Sequence, residues 1–376
     1  MTFFLLLFFL VQAFSFSDSL ASNFNQNGHI KFQTLKTVSN SFEQSGNLRL
    51  NLSLKESNWT LVSDYQLLAS QSLINDDNRL MDLTSEIRSG GNISAAHRFD
   101  RLHLTYTSEQ LVFRLGRQAV SWGNGLFYHP MDVFNPFAPA SIDKEYKAGD
   151  DMLYTQYSFD NGNDLQAVWV VRRNDSGDRH SEVSSLAARY HVFMDDYEID
   201  FLLAEHYDNQ LIGIGAVANI GNAIWRGDIV STDIDNRLYN SGVLNTSYSW
   251  LAWGHNMSGM LEYFRNGFGV DNANYSLTNL TQSPELLSRI QRGELFSPGR
   301  HYLAAAVIVE LTPLWFFTPT LFTNLDDDSS FLQLISQHDL QQDLQLLLAI
   351  TIPHGSSGAE YDSAEESLLA QLAWYF

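Results

Sequence analysis

The residues best placed to do chemistry crowd into one stretch, 112–154, which reads VFRLGRQAVSWGNGLFYHPMDVFNPFAPASIDKEYKAGDDMLY. It holds Arg114 and Arg117 together with the carboxylates Asp132, Asp143, Glu145, Asp150 and Asp151. Gly116 ends a strand, and Gly123 and Gly125 flank Asn124 just after Trp122. Pro130, the Asn135-Pro136 pair and Pro139 then keep the chain irregular and compact. Structureless segments longer than ~12–15 residues are uncommon unless they serve a function. Elsewhere Arg101, Arg172, Arg189 and Arg226, with His103 and His191, share the parity of Arg114 in alternating segments. Cations on a wall facing carboxylates on an inserted loop would set a field across a narrow passage and orient polar solutes. The same residues would serve equally as ion pairs bracing the interior. The sequence leaves both readings open.

Enzyme chemistry finds less support. The eleven histidines include no HExxH and no paired zinc-site spacing, so no metal and no cofactor is expected. No G-x-S-x-G occurs, and Gly355-Ser356-Ser357-Gly358 reads as a flexible loop tip. Gly213-Ile214-Gly215 lies within a strand with no helix after it, which fits close packing better than a dinucleotide fingerprint. Asp100 with His103, or Asp228 with His191, would form a pair only if the fold joined them. A hydrolase would need a Ser or Asp within hydrogen-bond reach of a His at an accessible rim.

The elements that must position these residues alternate with period two. Leu111, Phe113 and Leu115 oppose Val112, Arg114 and Gly116; Leu368, Ala370, Leu372, Trp374 and Phe376 share one face. Strands are expected near 28–38, 46–54, 58–68, 94–107, 110–119, 151–159, 163–173, 182–194 and 197–206. They continue near 209–219, 222–231, 242–252, 256–265, 300–311, 314–324, 329–337, 341–352 and 367–376. Short connections (55–57, 108–109, 160–162, 195–196, 220–221, 253–255, 312–313, 338–340) contrast with long ones at 69–93, 120–150, 266–299 and 353–366. That contrast predicts an all-β transmembrane antiparallel barrel of about eighteen strands, with sixteen as the fallback, short periplasmic turns and long extracellular loops. The 120–150 loop is expected to fold inward. Strict alternation aims Arg117 at lipid, so either it sits above the apolar band or a bulge at Gly116 turns it inward, the bulge being preferred.

Composition agrees. The apolar run that opens the chain is too short to span a membrane as a helix and reads as a cleavable signal peptide over 1–17, leaving 18–376 as one barrel domain. There is no cysteine, hence no disulfide scaffold and no thiol nucleophile. The net charge of −21 argues against nucleic acid, while 13% aromatic and 17% charged residues argue for a folded chain. Trp59, Tyr106, Tyr154, Tyr157, Trp225, Trp250, Trp253, Trp315, Phe316 and Phe317 are candidates for two interfacial girdles. The expected surroundings are outer-membrane lipid and the barrel-assembly machinery, the latter reading the C-terminal Phe376. The terminus resembles the assembly signal of outer-membrane barrels, although Gln371 stands where that pattern usually has glycine.

The Leu-Gly-Arg-Gln strand end at 115–118, Trp122-Gly123 and the Asn-Pro-rich loop resemble the uncharacterised Gram-negative porin-like barrels related to alginate-export porins. The likeness covers 115–123 and 133–151. It implies an outer-membrane channel for a polar solute or polymer, though alginate itself suits a basic pore and this chain is acidic. A structural or adhesive surface barrel is the alternative.

Overall fold

The computed structural model describes residues 23–39, 42–70, 78–88, 94–270 and 274–376. The expected signal segment, 1–17, lies outside them. The strands are β1 (Phe24–Thr37), β2 (Phe42–Glu56), β3 (Trp59–Ser70), β4 (Thr84–Arg88), β5 (Ser94–Thr107) and β6 (Leu111–Gln118). They continue as β7 (Asp150–Ser158), β8 (Asp164–Val170), β9 (Ser185–Met194), β10 (Tyr197–His206), β11 (Asn209–Ile220), β12 (Ala223–Ile234) and β13 (Arg237–Ala252). The last are β14 (His255–Arg265), β15 (His301–Thr312), β16 (Trp315–Asn324), β17 (Ser330–Gln341), β18 (Leu344–His354) and β19 (Ser367–Tyr375). Two short helices, α1 (Leu277–Leu280) and α2 (Pro284–Gln291), sit between β14 and β15.

Each strand pairs antiparallel with its neighbour and β19 returns to β1, so the sheet closes as an 18-strand barrel. Every strand expected from the alternation is present. The additional one, β4, lies outside the ring order and pairs with β5 alone. The connections segregate completely. At one end the longest is 159–163; at the other stand 71–93, 119–149, 171–184, 266–300 and 355–366. Tight hairpins place non-glycine residues in the left-handed region, as at Asp235 (φ 51) and Asn236 (φ 64), the geometry that follows strand twist.

Alternation assigns the two faces. On β10, Phe201 and Leu203 point out and are exposed while Asp200 and Leu202 point in and are buried; on β11, Ile212 and Ile214 point out. Around the ring this leaves a continuous apolar exterior, far beyond what a water-soluble monomer exposes. Such a wall belongs in hydrocarbon, where only closed sheets and helices satisfy the backbone. No described helix is long and apolar enough to cross a membrane.

Exposed aromatics gather at the short-turn end: Trp59 against Tyr106 at 5.0 Å, Tyr157 against Phe159 at 5.0 Å, and Trp225, Trp253, Trp315 and Trp374. This is one girdle rather than the expected pair. The outer end contributes only scattered rings such as Phe42, Trp169 and Tyr263. Tyr154 is a correction: its parity carries it inward, where it is buried beside Arg114.

The seam explains the last residue. Gly28 and Phe376 exchange both backbone hydrogen bonds, at 2.9 and 3.0 Å, extending the β1–β19 ladder by one rung. A Cβ on Gly28 would stand 2.2 Å from the Arg49 carbonyl oxygen and 2.9 Å from the Phe376 ring. Folded protein should therefore run faster unboiled than boiled in SDS gels. Gly28→Val should lower the temperature at which the fast band converts, overpacking costing ~1–3 kcal/mol. Identical mobility before and after boiling would contradict the closed ring.

Candidate functional site: the internal loop and its anchors

The 119–149 loop leaves the wall because β6 and β7 stop early. Gly116, at φ +124, marks the last rungs of β6, and the ladder with β7 ends at Gln118 opposite Asp150. The wall above is completed by another segment. β4 takes the β5 edge that β6 vacates, Arg79 bridges to Arg172, and the Arg173 amide donates to the Asn78 carbonyl at 2.8 Å. Residues 78–88 thus strap β5 to the end of β8 across the two shortened strands.

Arg117 belongs to this junction. Its ladders run through Gly116 with no register shift, so the expected bulge is absent. The side chain escapes lipid another way. It is fully buried, forms a two-pronged ion pair with Asp151 at 2.8 and 3.0 Å, and donates to the Met81 carbonyl at 2.6 Å. Met81 N–H closes the knot on Asp151 at 2.7 Å.

Inside the barrel the loop makes a circuit of the wall. Trp122 donates to Gln166 of β8 at 2.7 Å and packs edge-on against Phe134. Asn124 gives its backbone and side-chain N–H groups to Asp228 of β12, at 2.7 and 2.8 Å. Gly215 of β11 makes room for this contact, since a Cβ there would meet Asp228 at 2.4 Å and Asn124 at 2.7 Å. Close packing was the expectation for that Gly-Ile-Gly, and the loop tip is what packs.

Glu262 of β14 provides the strongest anchor. It is fully buried and accepts the consecutive amides of Leu126, Phe127 and Tyr128 at 2.5, 3.0 and 2.7 Å, with Asn245 of β13 adding a fourth bond at 3.1 Å. Tyr128 then stacks on Phe264 at 4.6 Å, and Phe127 meets Phe322 of β16 edge-on. Further round, Gln333 of β17 donates to the Ala140 carbonyl, and Ile142 packs among Leu35, Ile335, Leu347 and Leu369. Lys31 of β1 binds Asp143 and Glu145 at 2.6 and 2.5 Å. Arg49 of β2 lies 3.8 Å over the Tyr146 ring, and Arg101 of β5 donates to the Lys147 carbonyl at 2.5 Å.

Each sequence-predicted residue now has a place. Asp132 pairs with Lys147 within the loop at 2.5 Å, and burial pushes its carboxyl up to about 6 even beside that ammonium. Lys147 is lowered by the same burial, opposed by Asp132. His129 is lowered to about 4, burial first, then Lys144 and Lys147. Asp150 holds Arg172 at 2.7 Å and also accepts from Asn135, which takes φ 52 just before Pro136. Gly123, at φ +91, passes beneath Met131 and Asp228. Arg101 shares Asp100 with Arg49 and Arg98, while Arg189 and His191 share Asp200. His103 contacts Thr105 at 3.2 Å. Arg114 bonds Thr105 and Gln118, and Arg226 bonds Ser247. Neither has a carboxylate within ion-pair distance among the described residues. Of the loop carboxylates, Asp143 and Glu145 thus meet Lys31 of the wall and Asp132 pairs within the loop, while Arg101 and Arg189 are held by carboxylates of the wall itself.

Sequence reasoning missed the wall anchors Lys31, Arg49, Asp100, Asp228 and Glu262. The available signal was a carboxylate at an inward position of a strand otherwise apolar outside, as at Asp228 and Glu262.

Neither proposed acid–base pair forms: Asp100 serves arginines, Asp228 serves Asn124, and His191 pairs with Asp200. A different line does. Ser185 Oγ lies 2.8 Å from His206 Nδ1, whose Nε2 lies 3.0 Å from Glu294, near the outer rim. Ser185 and His206 are each about 3% exposed, and Arg172 donates to the same Oγ at 2.7 Å. The line ties β9, β10 and the 266–300 loop together, with the serine itself buried. Among the described residues no group of three His, Asp or Glu side chains could hold a metal ion.

No family model matches the chain, and no curated protein matches it. Solved structures share its fold. OccAB2 of Acinetobacter baumannii superposes at TM-score 0.58 with 11% identity, covering 96% of this chain and 99% of that one. OccK5 (OpdH) of Pseudomonas aeruginosa gives 0.60 and 10% identity, covering 94% and 98%. OprD of the same organism gives 0.58 and 9%, covering 94% and 95%. At such identities the likeness is one of fold.

Glu262→Ala should release the front of the loop, since buried amides lose charge-assisted bonds at a cost on the order of 3 kcal/mol. We expect the loop to become cleavable by added protease while the barrel keeps its fast-running gel band. Unchanged protection would show that Glu262 is not the anchor.

Proposed function

We propose that this chain is an outer-membrane channel for small polar solutes, its short turns in the periplasm and its long loops outside. The carrying observation is a closed barrel, apolar outside, whose lumen is narrowed by a loop pinned around the wall. The outer-membrane porins that share this fold support the reading.

Toward the short-turn end, below the loop, the inward face is asymmetric. Arg114 and Arg226 lie on β6 and β12 with Arg189 between them. The inward positions of β15, β17 and β18 carry Glu310, Gln337, Asp339 and Gln345. A pair of uncompensated guanidiniums facing a weakly acidic wall would draw anions along one side. The constriction is then formed by the ring through Asp132, Asp143, Glu145 and Asp150 with their cations, which act as staples, while Asp151 holds Arg117 under the strap on the outer side and selectivity belongs to Arg114 and Arg226. A fully pinned ring suits small solutes better than a polymer. The resemblance of 115–123 and 133–151 to alginate-export-type barrels is proposed as a relation in loop design. Phe376 is proposed as the residue read by the assembly machinery, since it also completes the seam.

Planar-bilayer recording of refolded protein tests the channel. Wild type should give discrete conductance steps. Arg114→Gln/Arg226→Gln should move the reversal potential toward cations at 0.1 M salt, and much less at 1 M, where the Debye length falls to ~3 Å. Absence of steps, or an unmoved potential at low salt, would overturn the reading. Removing 374–376 should abolish insertion in cells; normal insertion would remove Phe376 from that role. A hydrolase reading rests only on Ser185 beside His206, and Ser185→Ala should leave esterase and lipase assays at the level of wild type.

A further inference from the structure

The strap over β6 and β7 leaves a recess on the outside of the barrel. Its volume is about 860 Å³, within the range of sites that enclose a ligand. Leu115, Leu153, Trp169 and Leu186 form its back, and Leu80 and Met81 of the strap overhang it. Leu115, Trp169 and Leu186 are each more than half exposed, so the recess opens outward from the barrel. The polar rim lies at its outer-loop side: Arg179, His180, Ser181 and Ser184 from the 171–184 connection, with Glu205 of β10; Asp151, held by Arg117, and the buried Ser185 complete the polar lining.

We propose that this recess binds one phospholipid, an acyl chain lying on Trp169 and the phosphodiester reaching Arg179 and His180. The inference rests on reading the chain as a membrane barrel. Facing hydrocarbon, a dent of this size is filled by lipid. Water finds no partners on its apolar back, and a void would forfeit the contacts of everything lining it. Apolar transfer gives no preference, because a chain in the bilayer is already out of water. Specificity must come from shape and from the rim. Arg179 is exposed, and His180 Nδ1 stands 3.5 Å from Glu182, so a guanidinium, an imidazole and carboxylates share the rim. Such a rim suits a single phosphodiester flanked by hydroxyl or ammonium donors more than a bare polyanion. The recess also explains an expense in the wall: shortening β6 and β7 frees the internal loop and opens this space with the same residues.

The test uses the folded full chain in detergent, titrated with dibrominated phosphatidylglycerol, whose bromines quench nearby tryptophan. Trp169 fluorescence, taken as the difference between wild type and Trp169→Phe, should quench saturably near one lipid per barrel. Arg179→Gln/His180→Gln should weaken half-saturation at least fivefold, and a dibrominated diglyceride, lacking phosphate, should bind wild type as poorly as that variant. Unsaturable quenching, or equal affinity for wild type and the double variant, overturns the site. The double variant lies outside the lumen, so its conductance should match wild type. A barrel that conducts without the saturable phase refutes the lipid site alone; one that binds lipid without conducting refutes the channel alone.

Discussion

The structure depends on one constraint: in hydrocarbon every backbone N–H and C=O must find a partner within the chain. Closing β19 onto β1 satisfies the whole ring at once, and the sequence is tuned to that seam down to Gly28, whose missing side chain admits the Phe376 ring. Any strand that ends early reopens the problem at its neighbours' edges. That is the difficulty posed by β6 and β7. The 78–88 strap answers it, offering β4 to the free edge of β5 and a bridge to Arg172. The buried Arg117–Asp151 pair makes sense only in this setting. It is the last rung but one of the β6–β7 ladder, roofed by Met81, and breaking either partner would strand a buried charge at the membrane boundary.

The same accounting governs the loop that those short strands release. Its backbone runs through the lumen without secondary structure, so its polar groups need partners from side chains or water. The wall supplies them by chemical type. Carboxylates of Asp228 and Glu262 take amides, Gln333 and Arg101 give to carbonyls, and Lys31 takes the carboxylates of the return path. A loop so held has a shape set by the wall, not by its own sequence.

This division also marks what could be read in advance. The ring was legible, because period-two alternation is imposed on every strand by lipid outside and polar groups inside, and short turns announce themselves. The loop announced itself by its length, and its Gly and Pro content marked it as irregular and compact. Its partners were not legible, since each is a single residue such as Glu262, far away in sequence and identical in local pattern to any inward polar residue. Arg117 shows the limit best. Alternation correctly flagged it as misplaced, yet the remedy came from the strap, a segment with no strand periodicity long enough to notice. Tyr154 failed for a related reason: an aromatic near a strand end was counted toward a girdle without regard to its parity.

One further consequence follows from how the loop is anchored. A buried carboxylate is costly unless its lone pairs are filled, and amide donors can fill them without a cation. Glu262 uses backbone amides and Asn245, and Asp228 uses Asn124, so neither removes a guanidinium from the lumen. Where the loop brings its own acids, Lys31 of the wall and Lys147 of the loop answer them, and where β7 begins, Asp150 and Asp151 are met by Arg172 and Arg117, so those charges cancel locally. What remains unmatched on the wall below the loop is Arg114 and Arg226, each bonded only to neutral groups, while Lys144 on the loop itself donates to the Pro139 carbonyl. The overall excess of acid over base says little about the passage, because many of the acids that reach the interior are spoken for. A strongly acidic chain can in this way carry a locally cationic wall.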